Sequence, residues 1–161
     1  MFFKSIATLA IFTVGAFARD SLHFVNCGEG ANGNPASDSV IVFCNDDSNC
    51  HFNPAPSNYC VVSSGGTLTT WERSGDCTFT TGVRVNWSIR TDARNQPDFS
   101  TVGSAGNGAQ NFSCMKDNSP VMYVDSFGQA CKSIYYCFYA VTYNSGCYNN
   151  LSLPPGNMTC A

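Results

Sequence analysis

Two histidines, eleven carboxylates and ten cysteines are the residues of this chain with chemistry to offer, and their spacing narrows what that chemistry can be. Base catalysis near neutral pH has His23 and His51 to draw on. His51 follows Cys50 and lies close in sequence to Asp46 and Asp47. With a carboxylate such as Glu72 and an arginine such as Arg84, it would make the minimum kit for transphosphorylating RNA. That kit still lacks a second acid, because His23 falls in a segment that reads as an irregular arm. A serine or cysteine hydrolase has no Gly-x-Ser-x-Gly elbow to build on, and paired cysteines leave no thiol nucleophile. The carboxylates include Glu29, Glu72, Asp76, Asp98 and Asp125, and nothing in their spacing singles out a glycosidase pair. Asp46-Asp47-Ser48-Asn49 lacks the alternation and distal Glu of a calcium loop and reads as a solvated turn. The balance favours a protein that does not catalyse, with a small secreted ribonuclease using His51, Glu72 and Arg84 as the alternative.

The cysteines are Cys27, Cys44, Cys50, Cys60, Cys77, Cys114, Cys131, Cys137, Cys147 and Cys160. An even number points to disulfides if the chain is exported, and the amino terminus supplies the means. Lys4 precedes an apolar run from Ile6 to Phe17, and Ala16-Phe17-Ala18 has the small-x-small pattern of a cleavage site. Residues 1–18 therefore read as a signal peptide and 19–161 as one disulfide-rich extracellular domain. Sequons at Asn86, Asn111, Asn150 and Asn157 are candidate glycosylation sites in a secreted chain. No Cys-x-x-Cys pair occurs and neither histidine has finger spacing to a cysteine pair, so neither a metal nor a cofactor is expected.

A formal charge of −3, with the basic residues scattered singly, excludes the basic stripe that nucleic acid needs. No later stretch reaches the length of apolar chain that spans a membrane. The remaining resource is aromatic. Trp71, Tyr135 and Tyr139 could stack on a sugar ring or a protein surface, although core packing explains aromatics equally well. The partner this implies is an extracellular glycan or protein surface, and the oligomeric state is open.

Elements that would position these residues are mostly strands. The segment ahead of Ser39, broken by Gly28, Gly30, Gly33 and Pro35, reads as an irregular arm. Ser39 to Cys44 is a continuous β-branched run, followed by a polar loop from Asn45 to Asn49. Thr67 to Glu72, Cys77 to Thr81 and Val83 to Arg90 are strand candidates, and in the third Val83, Val85, Trp87 and Ile89 share one face. Asp92 to Gln110 loses periodicity and reads as a long surface loop with one helical turn near Ala93. Strands return at Asn111 to Met115, Val121 to Asp125 and Ser133 to Tyr143; the last is apolar or aromatic on both faces and should be central. The expected fold is a single mainly-β, disulfide-stapled sandwich or barrel, with a small α+β fold carrying one short helix as the alternative.

Signal, cysteine count and abundant Ser, Thr, Asn and Gly resemble the fungal-type small secreted cysteine-rich proteins described as effector-like. From Trp71 to Met115, Trp71, Gly75-Asp76-Cys77-Thr78-Phe79, a Val-rich strand, Val102-Gly103 and Cys114 also resemble the necrosis-inducing effector domain related to killer toxins. That domain has a helical segment between strand and glycine loop that this chain lacks, so the resemblance transfers no functional residue. The exported protein is expected to begin at Arg19 and to carry no free thiol; mass analysis finding Met1 retained, or a thiol reagent labelling the native protein, would contradict this.

Overall fold

The computed structural model describes residues 20–28, 36–47 and 50–139, together with two short strands at 147–148 and 159–160. The expected signal peptide and the sequons at Asn150 and Asn157 lie outside the described residues. The fold is mainly β: β1 (Ser21–Cys27), β2 (Asp38–Cys44), β3 (Tyr59–Ser63), β4 (Ser74–Thr78), β5 (Arg84–Ile89), β6 (Thr101–Gly106), β7 (Asn111–Lys116), β8 (Val121–Val124), β9 (Ala130–Tyr139), β10 (Cys147–Tyr148) and β11 (Thr159–Cys160). Helical structure among the described residues amounts to 3-10 turns such as Pro56–Asn58 and Ala93–Asn95, which sets aside the α+β alternative.

Every pairing is antiparallel, and the sheet runs β3-β2-β1-β9-β7-β6-β5-β4, with β8 beside the first half of β9. The path curls until its two edge strands meet. No ladder joins β3 to β4; Cys60–Cys77 does, with its Cα atoms 6.1 Å apart. The result is a nearly closed barrel whose seam is a disulfide. Two other bridges, Cys27–Cys131 and Cys114–Cys137, cross directly between opposed residues of β1 and β9 and of β7 and β9. Cys44–Cys50 closes the loop after β2. In the separate β10–β11 ladder Cys147 and Cys160 are Cα partners.

The barrel interior holds Leu22, Phe24, Ile41, Trp71, Phe79, Val85, Trp87, Ile89, Val102, Phe112 and Tyr135. Phe24, Trp71 and Trp87 meet edge to face with centroids 5.1–5.7 Å apart, the arrangement that aromatic quadrupoles favour. Gly75 is required beneath Trp87, since a Cβ there would run into the indole. β5 alternates as its sequence predicts at Val85, Trp87 and Ile89, but Val83 precedes the strand and is exposed.

A second apolar layer of Val25, Cys27, Val40, Val42, Met122, Tyr123 and Cys131 covers the outside of β1 and β2, so β1 is buried on both faces. The expected irregular arm therefore contains a central strand. β6 likewise occupies what reads as a surface loop, whereas Thr67 to Glu72 is irregular. β9 is central, pairing with β1 on one side and with β7 and β8 on the other.

Replacing Cys60 and Cys77 together with alanine is expected to cost about 2–4 kcal/mol in urea unfolding. An unchanged midpoint would show that the seam holds without its bridge.

Candidate functional site

The densest cluster of chemistry-bearing side chains lies where β1 meets β9 and the 44–50 loop. In β1, Leu22 and Phe24 point into the barrel, which turns Ser21, His23 and Val25 outward. In β9 the residues facing the interior are Tyr135 and Cys137. A register shift between Phe24 and Val25 leaves Ile134 as an extra residue, because Phe24 opposes Tyr135 while Val25 opposes Ser133. Such a bulge moves the residues beyond it to the other face. Ser133 is thereby delivered to the outer side, next to His23.

His23 Nδ1 lies 3.1 Å from Ser133 Oγ, and Nε2 lies 2.8 Å from Asp47 Oδ1. Ser21 Oγ donates to the same carboxylate oxygen at 2.7 Å and sits 3.3 Å from Nε2. Ser21 and Ser133 are wholly buried, His23 nearly so, and the Asp47 side chain is half exposed. The hydrogen bond from His23 holds the Asp47 carboxyl below its ordinary value against the opposing effect of burial, with Ser21 and the charges of His23 and His51 adding to it.

These are the residue types of a nucleophilic triad, but both hydroxyls are sealed inside the protein. A nucleophile must reach a carbonyl or phosphoryl centre, and neither serine can. The cluster pins the 44–50 loop to β1.

The residues that the sequence nominated fall elsewhere. His51 is exposed on an open loop and makes no hydrogen bond among the described residues. Glu72 accepts from the Tyr135 hydroxyl at 2.6 Å and from Arg94 Nε at 3.2 Å. Burial pushes the Glu72 carboxyl up, but those donors outweigh it and leave it below its usual value, while burial and Glu72 push the Tyr135 phenol up. Arg84 is paired with Asp76 across β4 and β5. Glu72 and Arg84 of the ribonuclease kit thus have separate partners, and none of its three members bonds to another among the described residues.

Trp71, the first choice for stacking on a ligand, is fully buried, and its Nε1 donates to Asn26 Oδ1 at 3.0 Å. Its polar neighbours Thr69, Thr70, Glu72 and Arg73 suggest exposure, but the connection from β3 to β4 crosses the end of the barrel and drops the indole inside. Gly66 and Thr69 bond to Ser37 and Ser39 ahead of and on β2, and Arg73 bonds to Ile89 on β5, so the crossing is fixed at both ends. Tyr135 is buried as well, and Tyr139 is half-buried against Phe112. Asn86 and Asn111 are exposed on the outer face of the barrel, one Cα partner away from Gly106 on either side. The sequence reading missed His23, whose hydrogen-bond partner Ser133 lies 110 residues away.

The most exposed aromatic among the described residues sits on the β8–β9 hairpin, with Phe52 and Phe99 exposed elsewhere on the surface. Phe127 is 71% exposed, and Val121 and Val124 on the same hairpin are also exposed. Asp125 Oδ1 accepts from the backbone N–H of Phe127 and of Gln129 at 2.9 and 2.8 Å, and Gly128 takes the positive φ that closes the turn.

No family model, curated protein or solved structure matches this chain.

An Asp whose carboxyl is held low in the folded protein adds stability that is complete above its ordinary value and is lost as pH falls through the lowered one. Asp47→Asn should therefore unfold more readily than the wild type at pH 7, and the difference should shrink once pH drops below the ordinary 3.8. Denaturant titrations across that range check this; a difference that does not vary with pH would remove the charge from the account.

Proposed function

We propose that this chain is a secreted, disulfide-stabilised, non-catalytic protein that binds a surface component of another cell, in the manner of the effector-like class it resembles. The observation that carries this reading is the rigid presentation of Phe127. Its turn is fixed by two backbone hydrogen bonds to Asp125, so the loop needs little ordering when the ring docks, and an exposed aromatic on a hairpin that also exposes Val121 and Val124 suits a contact. A protein component is favoured over a cell-wall glycan, because Trp71 and Tyr135, the rings expected to stack on sugar, are occupied inside the barrel.

The catalytic alternative draws no support from the geometry. His51 is open to solvent, Glu72 is engaged by Tyr135 and Arg94, and Arg84 by Asp76. Four disulfides in a small β domain, with no helix long and apolar enough to cross a membrane among the described residues, fit a protein built to persist outside the cell.

Phe127→Ala should weaken capture of the extracellular protein target about tenfold or more in pull-down and titration, and His51→Ala should leave capture unchanged. Purified protein that cleaves RNA or a polysaccharide, and loses that activity in His51→Ala, would overturn the reading. So would binding on a glycan array that Phe127→Ala leaves intact.

A further inference from the structure

The His23 cluster borders a disulfide, and the geometry points to a metal site that opens when Cys44–Cys50 is reduced, taking a thiophilic divalent ion such as Zn(II). One ligand atom each of His23, Cys44 and Cys50 lies within 4.8 Å of the other two, and all three residues are buried. Asp47 Oδ1 lies 2.8 Å from His23 Nε2 but outside that group of three, which leaves the fourth position to a water. Tetrahedral zinc, with bonds of about 2.0–2.3 Å, sets its ligand atoms roughly 3.5 Å apart, so the donors need only a small adjustment. In the oxidised protein the two sulfurs satisfy each other and the site cannot form.

A zinc-binding imidazole is normally steered by a partner on its other nitrogen. Ser133 already fills that role: its hydroxyl is fully buried, lies 3.1 Å from Nδ1 and contacts the Tyr135 carbonyl at 3.3 Å. A hydroxyl both donates and accepts, so Ser133 holds the ring in either tautomer and leaves Nε2 directed at Asp47 and the loop. A second group, Cys27, Asp125 and Cys131, also has its donors together, but it has no histidine, and its bridge ties two central strands across 104 residues.

Cys44–Cys50 is the bridge suited to opening. It spans six residues, against 17, 23 and 104 for the other bridges among the described residues, and the constraint a disulfide places on the unfolded chain is smallest for the shortest loop. The barrel and its seam do not depend on it. A dithiol reductant delivers two electrons and two protons, cleaves the S–S bond to two thiols and leaves as its own disulfide. The ion then displaces both thiol protons and binds two thiolates and the His23 imidazole, with a water completing the tetrahedron.

The test treats the oxidised full chain with limiting dithiol, maps the freed thiols by alkylation and mass analysis, and titrates the product with Co(II) as a spectroscopic stand-in for zinc. Cys44 and Cys50 should be the first pair alkylated. That species should take one Co(II) with thiolate charge-transfer and tetrahedral ligand-field bands, which Zn(II) abolishes, while the oxidised protein shows neither. Ser133→Ala should weaken binding about tenfold, and His23→Gln should weaken it further. If His23→Gln does not fold, Ser133→Ala and the double variant Cys44→Ser/Cys50→Ser, which should bind no ion, decide the matter. Earlier reduction of another bridge, equal uptake by the oxidised protein, or unchanged affinity in Ser133→Ala would overturn the proposal.

Discussion

An antiparallel sheet that curls on itself has to join its two edges, and here the join is covalent. β3 and β4 form no ladder with each other; Cys60–Cys77 spans the gap and buries its sulfurs among the interior side chains, with the Cys77 sulfur also near the Val61 carbonyl at 3.6 Å. Open edge strands expose unpaired backbone groups, and drawing them together removes most of that liability. The interior depends on the same closure. Phe24, Trp71 and Trp87 stay dry because a wall stands on each side of them, and Trp71 arrives through the connection that crosses the barrel end from one side of the seam to the other.

β1 carries the next level of organisation. Its inward face supplies Leu22 and Phe24 to the barrel, and its outward face supplies Val25 and Cys27 to the second layer. The bulge at Ile134 lets β9 serve both layers, since Tyr135 and Cys137 face inward while Cys131 and Ser133 face outward. The polar cluster of His23, Asp47, Ser21 and Ser133 follows from that switch. A buried imidazole without partners would be costly, and each of its nitrogens has one. At the β8–β9 turn, Val124 and Phe127 lie outside both apolar layers.

Much of this architecture is legible in the residues. The β-branched run of β2, the alternation at Val85, Trp87 and Ile89, and the two apolar faces of β9 are local patterns that survive folding. β1 is hidden because Ser21, His23 and Asn26 break its apolar pattern; their partners Asp47, Ser133 and Ser39 come from other parts of the chain. β6 is hidden because it is built from small residues, and Gly103 has to be small because a Cβ there would meet the β5 backbone at Ser88. The site residues were read least well. Burial of Trp71 and assembly around His23 are set by a barrel-crossing connection and a bulge, neither of which leaves a periodic trace. His51, nominated for the ribonuclease kit, lies exposed outside the strands.

The central claim is that a disulfide, rather than a backbone ladder, closes this barrel. Residue-resolved hydrogen exchange on the Cys60→Ser/Cys77→Ser variant tests it most directly. The account requires protection to fall in β3 and β4 and in the 65–73 crossing, while amides in β1 and β9 remain among the slowest to exchange. Unchanged protection along β3 and β4, or a loss that begins in β1 and β9, would contradict it.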